Sequence, residues 1–532
     1  MVKYLYYSAI CLLVLNGCKE SGPKTDLTEA ALIPKPQSVE ASGRAFFLNA
    51  ETIVFVESSN TDLVSVAQRL VSQINMVTGF TNGIRTVEEA PESGIFIEIP
   101  NNRRWMNEDA YSITIAEELI TISAPGAVGA FNAVQTLAQL VPFEKADEYI
   151  IPTGVIGDSP LFGWRGAMLD VARHFFSVED VKRYIDLISY YKINKLHLHL
   201  TDDQGWRIEI KSWPNLALHG GSTEVGGGDG GYYTQEEYKD IVAYAQSRFV
   251  TIIPEIDLPG HINSALASYG ELNGGTIVPE EGRVVFSNPV LGGKAKPTEL
   301  YTGIEVGWST LRLEKPETFR FVKDVIRELS EITPGPYIHI GGDEAHVTKK
   351  EDYIKFINRF RDIVKENGKI MIGWEEIGQA SIDGESIAQY WNNDEYVTMA
   401  SSKGAKIIMS PAKKVYLDMK YDSTTELGLN WANYVEVDTA YLWDPLRYAY
   451  ELESERIIGV EAPLWSETIE TMNDIEFLAF PRIIAVAEVG WTPFESRSWD
   501  SFSKRLSKHG SRMQALGIDY YRSPRIGWNE TR

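Results

Sequence analysis

Asp343 and Glu344 stand side by side in the stretch HIGGDEA, residues 339–345, directly after two glycines. Paired acids of this kind can protonate a leaving oxygen, activate water or hold a developing positive charge. Similar polar clusters recur through the same half of the chain: Asp170 with Arg173-His174, Asp202-Asp203-Gln204 with Trp206, and Glu255 and Asp257 with His261. Later come Trp374, Trp391, Tyr416 with Asp418, and Trp465 with Glu467. The surplus is carboxylates plus aromatics, a combination suited to acid/base hydrolysis of a glycosidic bond, since flat apolar sugar faces stack on aromatic rings. No glycine-rich phosphate loop sits between a strand and a helix, and no G-x-S-x-G elbow occurs, so nucleotide binding and serine-hydrolase chemistry lack support.

The adjacency of Asp343 and Glu344 restricts the mechanism. Neighbouring strand residues point to opposite faces, so these two do not easily flank one bond as acid and nucleophile. A conventional retaining pair, about 5 Å apart, would draw its members from different strands. At a strand end, after Gly341-Gly342, both side chains can still reach one ligand at different atoms. One residue then protonates the leaving oxygen while the other steers a group belonging to the substrate. The alternative is a salt-bridge network in which both acids are structural.

The elements that must carry these residues are read from apolar runs at 166–171, 195–200, 250–256, 337–340, 370–373, 386–390, 406–409 and 457–462. They are continuously apolar, as strands buried on both faces are. Amphipathic helical stretches fall between the earlier ones, at 178–191, 234–248 and 316–331. Eight such units indicate an α/β fold, a (β/α)8 TIM barrel, with a doubly wound open sheet as the rival. A barrel places its active site at the C-terminal strand ends, which is where the polar clusters fall. The third loop, about 260–315, is long and Gly-rich and is expected on the substrate rim. His197 and His199 share one strand face and in that spacing could chelate a metal. They lie inside the strand, so they read as barrel-core residues, and neither metal nor cofactor is expected.

Before the barrel, residues 30–158 form a smaller α+β domain, with strands at 52–57, 94–99, 112–116 and 119–123 and helices at 61–77 and 127–140. The catalytic unit is expected over 159–532, including a C-terminal helical tail. The 532 residues carry 51 basic against 74 acidic side chains, net −23, with no basic run, which argues against nucleic acid as a partner. Residues 1–17 begin with a basic start and an apolar run shorter than the roughly 20 residues of a membrane span, as a signal peptide does. Leu15-Asn16-Gly17-Cys18 resembles a bacterial lipoprotein lipobox, implying cleavage before Cys18 and its acylation. A plain signal peptide with an incidental cysteine is the alternative. The only other cysteine is Cys11, inside the signal, so no disulfide is expected in the mature chain. Residues 18–29 read as a flexible tether, and the protein as exported and anchored to a membrane, periplasmic or at the cell surface.

Four motifs together resemble glycoside hydrolase family 20, the β-N-acetylhexosaminidases: RGAMLDVARHFF (165–176), KLHLHLTDDQGW (195–206), PEIDLPGH (254–261) and HIGGDEA. They occur in the family's order, and the resemblance spans roughly residues 30–520, small domain included. It implies an exo-acting, retaining hydrolase of terminal β-linked N-acetylglucosamine or N-acetylgalactosamine. Glu344 would be the general acid and base, and the substrate's own 2-acetamido carbonyl the nucleophile, through an oxazolinium intermediate. Asp343 would orient the acetamido group, helped by Tyr416. Arg173, Asp418 and Glu467 would hold sugar hydroxyls, and Trp374, Trp391 and Trp465 would wall the pocket. Asp202 and His261 would form a relay tuning Glu344, whose pKa a general acid needs raised or modulated. Asp170 and Asp257 are either supporting or structural. The rival functions are a glycan-binding surface lipoprotein without catalysis and a metal-dependent barrel hydrolase using His197 and His199.

Overall fold

The computed structural model describes residues 23–57, 62–100, 105–143, 146–279 and 296–528. The signal segment and Cys18 lie outside the described residues, as does residue 61, where the first helix was expected to start. The N-terminal domain is a seven-stranded mixed sheet, β1 (Ser38–Leu48), β2 (Val54–Glu57), β3 (Ile84–Val87), β4 (Gly94–Glu98), β5 (Tyr111–Ile115), β6 (Leu119–Ser123) and β7 (Tyr149–Asp158). Its order is β1-β7-β5-β6-β4-β2-β3, covered by the helices Asp62–Thr78 and Ala127–Leu140. Strands β1, β3 and β7 go beyond the sequence reading. β1 is mostly exposed or half-buried, so no apolar run marks it, and β7 is interrupted by Pro152 and Gly154.

The barrel follows as β8 (Trp164–Asp170), β9 (Lys195–His199), β10 (Thr251–Glu255), β11 (Tyr337–His339), β12 (Ile370–Trp374), β13 (Ile387–Tyr390), β14 (Lys406–Met409) and β15 (Ile457–Ala462). All eight pair in parallel and close β15 onto β8, which excludes the open sheet. Ser177 with Asp180 and Thr234 with Glu237 form capping boxes that start two of the surrounding helices, each satisfying otherwise orphaned N–H groups. Outward-facing Leu196, Leu198, Ile252, Ile338, Ala388, Ile407 and Val460 pack in the main core.

The barrel interior changes character along its axis. At the foot, Trp164, Ile253, Ile372, Ile387 and Ile408 form a small apolar cluster. One layer higher the inward positions are His197, Glu255, His339, Trp374, Gln389 and Glu461, all buried. Gly166 leaves the room this layer needs, because a Cβ there would lie 2.3 Å from Glu461 Oε2. Among the described residues no helix is long and apolar enough to cross a membrane.

Candidate active site

Past the end of β11 the chain takes two left-handed steps, at Gly341 (φ 64°) and Gly342 (φ 97°). A side chain at 341 would force the turn to shift, since a Cβ would stand 1.9 Å from Asp257 Oδ1. That oxygen accepts the Gly342 N–H at 2.9 Å, and the Tyr353 hydroxyl donates to the Gly342 carbonyl at 2.6 Å. Glu344 is itself left-handed (φ 43°), a conformation that costs a non-glycine residue about 1–3 kcal/mol. The turn brings Asp343 and Glu344 to one cavity of about 290 Å³. The opposite-face rule therefore does not bind them, because both lie beyond the strand.

The cavity is lined by Arg173, His261, Asp343, Glu344, Trp391, Tyr416, Asp418, Trp465 and Glu467, each expected there from sequence. Asp202 is one layer behind. Its Oδ1 lies 3.3 Å from His261 Nδ1, and His261 Nε2 lies 3.5 Å from Glu344 Oε2 and 3.8 Å from Asp343 Oδ2. Arg173 Nη2 meets Asp202 Oδ2 at 2.8 Å, and its guanidinium sits 4.9 Å from the Trp465 ring. Asp170 accepts the N–H groups of Ala172, Arg173 and Ser466, so it braces the turn that carries Arg173. Asp257 supports the turn under Asp343.

Trp374 lies behind the residues just named. It sits deeper than the other two tryptophans: it is 1% exposed, donates Nε1–H to Glu255 Oε1 at 3.0 Å and packs 5.8 Å from Trp465. As the last, inward-facing residue of β12 it sits level with the strand ends, and the loops that build the cavity lie above it. The modulation expected of Glu344 runs downward in the free site. Burial pushes its carboxyl up, but the hydrogen bond and charge of His261 prevail and hold it below the usual range. His261 is the mirror case: burial opposes its charge, yet Asp202 and Asp343 hold it well above the ordinary imidazole range. Asp343 is raised, by burial first and then by Glu344. Burial and the Glu467 charge raise Asp418 strongly.

Sequence reading missed Trp431, Ile304, Val306 and Leu429, which also line the cavity. Trp431 is 54% exposed and stands edge-on to Trp391 and Tyr416, at 6.0 and 5.9 Å between ring centroids. It belongs to an irregular loop after β14, where no strand end marks it. Ile304 and Val306 realise the expectation that the third loop reaches the rim. Glu375 was missed as well. It accepts the N–H groups of Trp391, Asn392 and Asn393 and so fixes Trp391, with burial pushing its carboxyl up to about 8. Its signal was an acidic pair, Glu375-Glu376, directly after a strand.

His197, Glu255 and His339 bring potential metal-ligand atoms within 4.8 Å of one another. Several of these atoms are engaged within the barrel. His197 Nδ1 faces Glu461 Oε1 at 2.9 Å, and Glu255 Oε1 serves His339 and Trp374. All three residues are at most 1% exposed. His197 and His199 donate to buried carboxylates, whereas His339 Nδ1 accepts the Gly341 N–H at 3.1 Å. His199 further contacts Asp202 at 2.9 Å, so it supports the site rather than merely filling the barrel.

Comparison with known proteins agrees with this geometry. The model of glycosyl hydrolase family 20, catalytic domain, matches residues 162–494, and that of the same family's domain 2 matches 29–159. A beta-N-acetylhexosaminidase of Cellulomonas fimi is 37% identical over 94% of this chain and 98% of its own. A beta-hexosaminidase of Porphyromonas gingivalis is 32% identical over 96% of this chain and 67% of its own. Among solved structures, the beta-N-acetylhexosaminidase of Streptomyces coelicolor A3(2) shares 42% identity at a TM-score of 0.87, covering 95% of this chain and 100% of that one. The Streptomyces plicatus enzyme in complex with Thio-NAglucal shares 43% at 0.86, over 94% and 98%.

Proposed function

The chain belongs to glycosyl hydrolase family 20, and from that premise we propose that it is an exo-acting, retaining β-N-acetylhexosaminidase. It removes terminal non-reducing β-linked N-acetylglucosamine or N-acetylgalactosamine from oligosaccharides or glycoconjugates. The observation that carries the reading is the entry of Asp343 and Glu344, from adjacent positions, into one cavity walled by Trp391, Trp465 and Tyr416. Adjacent acids suit a substrate that supplies its own nucleophile. The acetamido carbonyl oxygen attacks C1 as the bond to the leaving oxygen breaks, and that oxygen takes the proton of Glu344. Asp343 holds the acetamido nitrogen and its growing positive charge, with Tyr416 beside it. The oxazolinium is then opened at C1 by water, whose proton returns to Glu344, giving net retention. His261, protonated and 3.5 Å from Glu344, is the immediate source of the proton an ionised Glu344 needs before the first step. Arg173, Asp418 and Glu467 bind sugar hydroxyls.

The test compares p-nitrophenyl β-N-acetylglucosaminide with the plain glucoside. Hydrolysis confined to the N-acetylated sugar supports the reading. Equal rates would place the nucleophile on the protein and overturn it. We further propose export and anchoring through an acylated Cys18, on the lipobox-like end of the signal segment. Labelled palmitate should enter the wild-type chain and not Cys18→Ser, which should leave the membrane fraction. Equal labelling of both would reject the anchor.

A further inference from the structure

Below Asp202 the polar contacts continue into the barrel and converge on one residue. Glu255, at the end of β10, is fully buried. Its Oε2 meets His199 Nδ1 and lies 2.9 Å from His197 Nε2. Its Oε1 lies 2.9 Å from His339 Nδ1 and accepts the Trp374 indole N–H at 3.0 Å. Four ring nitrogens from β9, β11 and β12 thus surround its carboxylate: His199 Nδ1 and Trp374 Nε1 hydrogen-bond to it, while His339 Nδ1 accepts the Gly341 N–H at 3.1 Å. From this hub the contacts run unbroken to the cavity: His199 Nε2 to Asp202 Oδ2 at 2.9 Å, Asp202 Oδ1 to His261 Nδ1 at 3.3 Å, and His261 Nε2 to Glu344 Oε2 at 3.5 Å. A second branch runs through Trp374 to Trp465, which lines the cavity.

We propose that Glu255 is a positioning residue that couples the two halves of the site, orienting His199 and hence the Asp202–His261–Glu344 relay, while holding Trp374 beneath the tryptophan wall. The proposal rests on Glu344 being the proton donor. A lone carboxylate in a barrel interior is prohibitively costly, so its retention here requires partners that remain charged and hydrogen-bonded. Burial opposes ionisation of both Glu255 and His199, and their mutual attraction overrides it, holding the acid well below and the imidazole well above the ordinary range. Without the negative charge at 255, His199 loses the largest influence that holds its proton, and in a neutral ring with a single N–H its contact with Asp202 depends on the tautomer. The other charges bearing on Asp202 and His261 are Asp170 and Arg173 from β8 and its loop, Asp203 after β9, Asp257 after β10 and Asp343 after β11.

The test uses the leaving group as a probe of proton delivery. Wild type, Glu255→Gln, His199→Gln, Trp374→Phe and Glu344→Gln are assayed on a methyl and a dinitrophenyl β-N-acetylglucosaminide, with folding checked by circular dichroism. The methyl group needs protonation and dinitrophenolate does not. Glu255→Gln is expected to lower kcat/KM, which reports only the first step, about tenfold or more on the methyl substrate and less than about threefold on the other. His199→Gln keeps a donor for Asp202 and loses the contact with Glu255, so it gives the same pattern and carries the test if Glu255→Gln does not fold. An equal loss on both substrates overturns the relay half of the proposal. Trp374→Phe should raise KM on both substrates alike, and an unchanged KM removes the tryptophan half. Glu344→Gln separates this proposal from the reading beneath it. If that variant shows no leaving-group dependence, the acid assignment fails. If it does and Glu255→Gln does not, only the hub fails.

Discussion

Glu344 must hold a proton when substrate arrives, yet in the free site it sits below the ordinary carboxyl range because protonated His261 faces it. The proton is therefore stored on the pair, and Asp202 decides how firmly His261 keeps it. Replacing Asp202 by Asn removes the anion that contributes most to raising His261. The imidazole then loses its proton at lower pH, and the alkaline limb of kcat/KM should move toward neutrality by about one unit or more. A limb that stays in place would show that another group sets it. Glu344→Gln should lose most turnover of unactivated glycosides while keeping the fold, and normal turnover by a folded variant rejects it as the acid/base. Asp343→Asn should cost about 3 kcal/mol of transition-state stabilisation, read as kcat on the N-acetylated substrate, the scale of one preorganised charged contact. These residues were legible in the sequence because each follows a barrel strand at its C-terminal end. Trp431 was not, because it sits in an irregular loop whose path only the folded chain defines.

At the scale of elements, the turn after β11 depends on an atom that is missing. Gly341 is left-handed and its Hα faces Asp257 Oδ1, so Gly341→Ala forces a carbon to within 1.9 Å of that oxygen. Strain and displacement of the Gly342 N–H from Asp257 should together cost about 1–3 kcal/mol. The expected result is a lower midpoint of thermal unfolding and a loss of kcat far larger than the stability loss alone explains, because Asp343 and Glu344 move with the turn. An unchanged kcat would mean that the turn adapts. The barrel strands were readable to within two residues at each end, since each is a short apolar run between polar loops. Their inner faces were read only as buried, with His197 and His199 as barrel-core residues. A strand whose inward residues are His197 and His199 still reads as buried, and only closure of the barrel shows that its upper interior is a layer of hydrogen-bonded charge.

Considered whole, the molecule joins its two domains through buried polar contacts at the foot of the barrel. Arg165, in β8, meets Asp109 at 2.8 Å, and Arg512 donates to the carbonyls of Ala138, Gln139 and Val141. Lys192 is the most exacting of these contacts. Its Nζ donates to the Tyr111 hydroxyl at 2.8 Å, lies 3.5 Å from Asp158 Oδ2 and 4.5 Å from the centre of the Trp491 ring. Burial outweighs Asp158 and lowers Lys192 to about 8. A lysine depressed in the folded state binds fewer protons there than when unfolded, between about pH 8 and its unfolded value of roughly 10.4. Its contribution to stability is therefore complete above the unfolded value and is lost as pH falls through about 8. The free energy of urea unfolding should then rise from pH 8 to pH 10 in the wild type relative to Lys192→Met, with a slope of up to about 1.4 kcal/mol per pH unit. Lys192→Met carries no titrating group at this joint, so the comparison cancels the ionisations common to both proteins. A difference that stays flat across that range would mean that Asp158 keeps Lys192 charged in the folded protein, and that the joint is an ordinary buried ion pair.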